Sequence, residues 1–482
     1  MQHYLLPDIS QPGKIGCTIP SLDVSPAELP PKELLRQDLE LPEVSEVELV
    51  RYFTALSKLN YGVDTGFYPL GSCTMKYNPK WHEDVAKLPG LTSIHPYQPA
   101  TSVQGALQLM FELQEYLTEI NGMDATSLIP MAGAHGELAN IFMVKAYHQR
   151  RRDKKRTKIL VPDSAHGTNP ATAAMCGFET IVLPSDDDGN LALEGIRSMM
   201  TEEVAALTLT MPTTLGLFDP RMIEIAEIVH NKGGVLCGDG ANLNSIMGKV
   251  KFGDLGFDCV QLNLHKIFST PHGGGGPGSG PVCVKSKLSD FLPSPLVAMN
   301  DGGYVFTEPA KSVGNMGTNY GNFGVMVKAY AYIRSLGAKG LREVSENAVI
   351  NANYLKEMLK GYYHLPYDRT CMHEVIFSSK YQRVKGVHTV DIAKRLLDYG
   401  VHPPTVYFPL IVDEALMTEP TETESKKTLD EYIDIMKKIA EEAEENPSIL
   451  HSAPHNTPVR RLDEVTAARK PDLRWEIKGT KL

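Results

Sequence analysis

The sequence predicts an α/β protein. A large domain on a mainly parallel sheet is followed by a smaller α+β domain and preceded by an extended arm. Three observations predict this. Short apolar runs separated by turns recur from Lys158 to Val284, with helical stretches between several of them. Near-continuous apolar strands alternating with helices imply parallel strands covered on both faces. The composition changes after Gly337, and the first stretch of chain is irregular, with Pro at 7, 12, 20, 26, 30, 31 and 42. The expected division is an arm over 1–95, a large domain over 96–335 and a small domain over 336–482. A chain of 482 residues suits two to four domains. With 42% hydrophobic and 22% charged residues it can bury a large core, which excludes long disorder.

The elements follow in order. In the arm, Lys32–Leu39 and Glu46–Leu59 are amphipathic candidates, and TGFYPLGSCTMKYNPK (65–80) is too apolar for a free tail. The arm is expected to pack on the rest of the protein or on a second subunit. Val103, Ala106, Leu107, Met110, Leu113, Leu117 and Ile120 fall on one helical face, with Ser102 as a cap and Gly122 as a stop. Glu137–Arg151 reads as a second helix. Strands are expected at 158–162, 180–184, 204–211, 234–237, 259–264 and 281–284. A helix capped by Asp219, with Pro220 at its first position, is expected to carry Met222, Ile223, Ile225, Ala226 and Val229 inward and to end at Gly233-Gly234. Helices over 341–360 and around 429–443 belong to the small domain. No internal repeat is present.

Charge and cysteine usage exclude some functions. The formal net charge is −10, which disfavours binding to nucleic-acid phosphates. The basic run 150–158 reads as a solvated helix-to-strand connection. No apolar run approaches a membrane span, and the first residues do not read as a signal peptide. The seven cysteines are scattered and lack a CxxC pair, so neither a disulfide framework nor structural zinc is expected. A cytoplasmic location follows from that usage.

Four stretches carry chemistry-bearing residues. In LNLHKIFSTPHGGGGPGSGPV (262–282), an apolar strand runs into His265 and Lys266, and a run with six glycines follows. Ligands of parallel sheets bind beyond the strand carboxyl ends. A Lys there is not needed for packing and suits nucleophilic attack on carbonyls. The run has no Gly-Lys-Ser/Thr and so is not a Walker P-loop. In GVLCGDGANLNSI (234–246), Asp239 ends a strand, where it either binds a metal or pairs with the ring nitrogen of pyridoxal phosphate. In MAGAHGELAN (131–140), Gly133 and Ala134 stand directly before a helix, where backbone N–H groups suit a phosphate. In VPDSAHGTNPATAA (161–174), His166 follows a strand end, placed to stack on a flat ring, act as a base or ligate a metal. The order Gly133/Ala134, His166, Asp239, Lys266 is that of the aspartate-aminotransferase-like fold (fold type I) of pyridoxal-phosphate enzymes.

These residues carry a specific resemblance. The chain resembles the P-proteins of the glycine cleavage system, the decarboxylating glycine dehydrogenases, and among them the second-subunit type. The matching motifs are FYPLGSCTMKYNP (67–79), AGAHGE (132–137), SAHGTNPA (164–171), DGANLN (239–244), LNLHK with PHGGGGPG (262–278), YGNFGV (320–325), EPTETES (419–425) and PHNTPVRRLDE (454–464). The sequence departs from the expected pattern at SVGNMGTNYGN (312–322), LCGDGAN and MPTTLG (211–216), which leaves Lys266, Asp239 and His166 in place.

The resemblance implies pyridoxal 5'-phosphate held covalently on Lys266. Asp239 would face its ring nitrogen, His166 its ring face, and Gly133 and Ala134 its phosphate. Thr214 would lie near its 3-oxygen. His265 would help move protons, and Ser72, Cys73 and Thr74 would line the glycine site. The reaction implied is decarboxylation of glycine with transfer of the aminomethyl group to the lipoyl arm of an H-protein. Arg460 and Arg461 are candidates for the mouth of that arm's channel. A homologous first subunit in an (αβ)₂ assembly is implied as partner. The alternative within this fold is another pyridoxal-phosphate decarboxylase or aminotransferase. A metal-dependent hydrolase on Asp163, His166, Asp239 and His265 lacks a recognisable ligand spacing, and no metal is expected.

Overall fold

The structure, a computed structural model, describes residues 5–36, 39, 41–273 and 278–473. The chain divides into two units, Met1–Thr65 and Gly66–Leu482. In the first, a helix runs over Glu46–Ser57, started by a capping box between Ser45 and Glu48, and it buries no residue. The expected helix at Lys32–Leu39 is a single 3₁₀ turn at Lys32–Leu34, and positions 37 and 38 lie outside the described residues.

The second unit is built on a seven-stranded sheet: β1 (Ala125–Ser127), β2 (Lys158–Pro162), β3 (Glu179–Leu183), β4 (Val204–Thr210), β5 (Val235–Asp239), β6 (Cys259–Gln261) and β7 (Val282–Val284). Their order is β1-β7-β6-β5-β4-β2-β3. The pairs from β3 through β6 are parallel, and β7 alone runs antiparallel to its neighbours. The α/β class with a mainly parallel sheet is therefore observed. Every residue of β4 and β5 is buried, as strands covered on both faces require. One core joins Leu207, Leu209, Ile225, Val229 and Leu236 to the helix Gln104–Asn121. Another joins Ile141, Val144, Val161, Val235 and Val282.

Two expected caps differ. The helix Gln104–Asn121 starts after Val103, because the Ser102 hydroxyl donates instead to the Pro99 carbonyl, 2.8 Å away. The next expected helix covers Met222–Asn231 after Arg221, and Ile223, expected to face inward, is exposed because it lies on the face opposite Ile225 and Val229. Asp219 does not cap it: its carboxylate is taken by the Arg221 guanidinium and by the backbone N–H groups of Leu191 and Arg221. The helix Gly133–Arg150 begins four residues earlier than expected, so Gly133 and Ala134 open it rather than precede it.

The strands β8 (Leu296–Asn300) and β9 (Gly303–Thr307) form a hairpin. The helical run Phe323–Leu359 is broken at Gly337, whose φ of 61° suits a residue without Cβ. Beyond it, Ala352, Leu355 and Leu359 enter a separate core with Tyr363, Phe377, Tyr432 and Met436. That core lies on a small antiparallel sheet, ordered β10 (Val375–Ser378), β12 (Ala415–Thr418), β11 (Thr405–Val406). The amphipathic helix Lys426–Glu445 covers it, its start capped by Ser425.

The basic run ends in ion pairs with nearby acids: Arg156 with Asp153, Lys155 with Glu202, and Lys158 with Glu203.

Candidate active site

The carboxyl ends of β2, β4, β5 and β6 open on one cavity of about 210 Å³, lined in part by Ser72, Gly133, Ala134, His166, Thr214, Asp239, His265 and Lys266. The strands deliver these groups because each parallel strand ends on the same edge of the sheet. Asp239 is the last residue of β5. Lys266 lies in the helical turn Leu264–Ile267, just past β6. His166 follows β2 and Thr214 follows β4.

Lys266 Nζ donates to the Ser72 carbonyl at 2.8 Å. Asp239 is buried, and its carboxylate accepts from Gln261 Nε2, from the Ala241 N–H (3.0 Å) and from Thr210 Oγ1 (3.2 Å). Gly133 opens an 18-residue helix that has no side-chain cap. A Cβ at Gly133 would stand 2.5 Å from Asn263 Nδ2, so a side chain here would press on the Asn263 amide.

The pKa values of the histidines near Lys266 are shifted down. Burial, then His272 and Lys266, lowers His265 to about 3. Its Nδ1 accepts the Ser279 N–H at 3.3 Å, and Nε2 lies 3.2 Å from the Asn263 amide. His166 is lowered by the desolvation of its ring and then by Lys266, although one edge of the residue stays exposed. Its Nδ1 accepts the Thr168 N–H at 3.3 Å, and its ring meets Phe408 edge-on. Thr214 donates its hydroxyl proton to the Ser164 carbonyl.

Of the loop residues, Ser72 lines the cavity. Cys73 Sγ lies 3.6 Å from His272 Nδ1, and burial raises its thiol. Thr74 is buried and donates to Glu419.

Two expected residues are engaged elsewhere. Arg461 donates to the Ala453 and Leu450 carbonyls and pairs with Asp391 at 2.7 Å. Arg460 donates to the Pro454 carbonyl at 2.6 Å. Both guanidinium groups thus fasten the C-terminal segment to itself and to the helix Thr389–Asp398. The glycine run falls partly at 274–277, outside the described residues.

Glu137 was not singled out from the sequence. It lines the cavity and is buried, accepting from Thr168 Oγ1 (2.9 Å) and Asn169 Nδ2 (2.6 Å). Burial first, and then the charge of Asp239, pushes its carboxyl up to about 8. The signal was its spacing: it lies one helical turn after Gly133, on the same face. Gln261 and Asn263 were missed too, as neutral side chains at a strand end. Among the described residues, the one grouping with metal-ligand geometry is His373, Glu374 and Glu419, which shares no residue with the set considered from the sequence.

Comparison with known proteins gives a consistent result. Residues 18–303 match the family described as glycine cleavage system P-protein, and residues 344–457 match the glycine dehydrogenase C-terminal domain. The chain is 59% identical over 476 residues to a probable glycine dehydrogenase (decarboxylating) subunit 2 of Caldanaerobacter subterraneus subsp. tengcongensis, with 98% of each chain covered. It is 55% identical to a protein of the same description from Shouchella clausii, again with 98% of each covered. Among solved structures, a glycine decarboxylase (P-protein) of the glycine cleavage system in inhibitor-bound form superposes with a TM-score of 0.72 at 23% identity, covering 85% of this chain and 93% of that one.

Proposed function

Because the chain belongs to the P-protein family of the glycine cleavage system, as a member of its second-subunit type, we propose that the cavity beyond β6 is its glycine-decarboxylating site and that Lys266 bears the cofactor. The chain is a pyridoxal-phosphate-dependent enzyme of glycine decarboxylation, and its relatives give no support to the alternative of another decarboxylase or aminotransferase.

The residues present fit pyridoxal phosphate. One cavity holds an uncapped helix start for a phosphate, a buried acid for a ring N–H and a lysine amine for a carbonyl carbon. This convergence is the observation that carries the assignment. When bound, pyridoxal phosphate supplies an electron sink for the pair left on the glycine α-carbon as CO₂ departs.

The chain's own residues do the rest. Lys266 supplies the amine for covalent attachment, held ready by the Ser72 carbonyl. Gly133 and Ala134 offer backbone N–H groups and the positive end of the helix dipole to the phosphate. Asp239 accepts the ring N–H, its carboxylate fixed by Gln261, Ala241 and Thr210. Glu137 is the proton-bearing member of its pair with Asp239, which leaves the site one charge less negative. His166 covers the ring face. Thr214, its proton committed to Ser164, contributes contact beside the 3-oxygen. His265, neutral in the working pH range, braces the turn that carries Lys266 and can exchange a proton only where Nε2 faces Asn263. Ser72 lines the glycine side of the cavity, while Cys73 and Thr74, expected there too, lie behind it against His272 and Glu419.

As a second subunit, the chain works with a homologous first subunit, and we take the assembly to be (αβ)₂. The acceptor of the aminomethyl group is the lipoyl arm of an H-protein. No helix among the described residues is long and apolar enough to cross a membrane, and we place the reaction in the cytoplasm.

The test is glycine-dependent exchange of labelled bicarbonate into the glycine carboxyl, using the chain with its first subunit. Exchange that rises with lipoylated H-protein supports the reading. Absence of exchange in the fully loaded complex would remove it.

A further inference from the structure

Three buried titratable groups play no part in the reaction described above. His373 and Glu374 lead into β10, and Glu419 follows β12. These strands pair antiparallel with Val375 opposite Thr418, so Glu374 and Glu419 meet at one end of the small sheet. His373 and Glu374 are 0% exposed and Glu419 is 1% exposed. Their ligand-type atoms lie within 4.8 Å of one another. Both nitrogens of His373 and Oε1 of Glu374 are buried without a hydrogen-bond partner. His373 Nε2 stands 3.6 Å from Glu374 Oε1.

The two carboxyls grip the same loop. Glu374 Oε2 accepts the Ser72 N–H at 2.8 Å, and Glu419 Oε1 accepts from Thr74 Oγ1 at 2.5 Å and from Asn244 Nδ2 at 3.3 Å. The loop needs such a grip. Ser72 has a φ of 64°, a left-handed conformation costly for a residue with a Cβ. Gly71 before it lies against Met417 with no room for a side chain, and its carbonyl accepts from Thr405. The Glu419 N–H closes the strap on the Pro69 carbonyl. The Ser72 carbonyl so presented is the one that holds the Lys266 amine.

Two carboxylates this close cannot both be charged without nearby compensation. Lys266 faces both, and Glu422, itself paired with Lys76, faces Glu419. His373 faces Lys266, and burial holds its imidazole near 3, so it brings no positive charge. Burial and Glu419 push Glu374 well up, and burial pushes Glu419 up to about 7.

We infer that Glu374 and Glu419 form a buried carboxyl pair that positions the Ser72–Thr74 loop, and so sets where the Ser72 carbonyl meets the Lys266 amine. They are positioning residues, acting on Lys266 through the loop. The consequence for catalysis rests on the reading of Lys266 as the cofactor lysine.

The test uses the complex with its first subunit, freed of cofactor. The rate of reductive methylation at Lys266 is read by peptide mass spectrometry for the wild type, E374Q, E374A and T74V. Melting temperature and bound metal are measured on the same samples. The amide oxygen of E374Q still accepts the Ser72 N–H and carries no charge, so its rate stays within about twofold of wild type. E374A and T74V release the loop, and the Lys266 rate rises about fivefold or more. If E374A does not fold, T74V, which removes only a hydroxyl, decides. A rate in E374Q as fast as in E374A would overturn a Glu374 that holds the loop in its neutral form. Wild-type rates in both E374A and T74V would overturn positioning, and a stoichiometric metal bound through these groups would overturn the pair altogether. Failure of the cofactor reading is a separate result: in the loaded wild type, borohydride would fix pyridoxyl somewhere other than Lys266.

Discussion

Glu137 gives the sharpest consequence at the scale of single residues. Its carboxyl rises from an ordinary 4.5 to about 8 on folding. Between those values the folded chain keeps a proton that the unfolded chain releases. Its contribution to stability is therefore complete below about pH 4.5, is lost as pH rises toward 8, and changes no further above that. Thermal melts of the cofactor-free chain should show E137Q gaining on wild type across this window, equal near pH 4 and higher near pH 8.5. A parallel pH dependence in the two proteins would contradict the burial of a proton there. At Lys266, K266A is expected to lower bicarbonate exchange by roughly 10³-fold or more while the fold is kept, as circular dichroism would record. The sequence made Lys266, Asp239 and His166 legible because each follows an apolar run that ends at a turn. Glu374 and Glu419 were not legible. Their partners Ser72 and Thr74 lie 302 and 345 residues away in the chain, and no local pattern marks such a pairing.

At the scale of elements, the start of the helix Gly133–Arg150 is the most constrained feature of the site. A Cβ on Gly133 would sit 2.5 Å from Asn263 Nδ2, so the Asn263 amide must turn away. G133A is expected to cost about 1–3 kcal/mol of stability. It should also weaken cofactor binding by roughly tenfold or more, read by titrating pyridoxal phosphate into the cofactor-free chain. Unchanged affinity would mean that this helix start does not hold the phosphate. Strand positions were readable because β4 and β5 are buried throughout and mostly apolar, with their polar residues toward the carboxyl ends. Helix starts were less so. Asp219-Pro220 looks like a cap and first turn, yet Arg221 captures the Asp219 carboxylate and the helix begins at Met222. A side-chain competitor two residues away outweighs a good local signal. The break at Gly337 coincides with the change in composition.

For the whole molecule, the unit Met1–Thr65 carries strongly exposed apolar side chains, among them Ile19 (79%), Leu22 (75%) and Leu29 (78%). Such side chains are available to another chain, and the prediction here takes the first subunit as the chain that covers them. The double variant L22D/L29D is expected to bind the first subunit at least about tenfold more weakly, measured by isothermal titration calorimetry, with its own melting temperature unchanged. Equal affinity would place the partner's contact elsewhere.

The central claim is that the parallel strand ends bring a cofactor lysine, a ring acid and a phosphate-binding helix start into one cavity. Borohydride reduction of the pyridoxal-phosphate-loaded complex, followed by peptide mapping, tests it most directly. The account predicts loss of the visible absorption band and a single pyridoxyl-labelled residue, Lys266. A label on any other lysine, or a complex that takes up no pyridoxal phosphate, would contradict it.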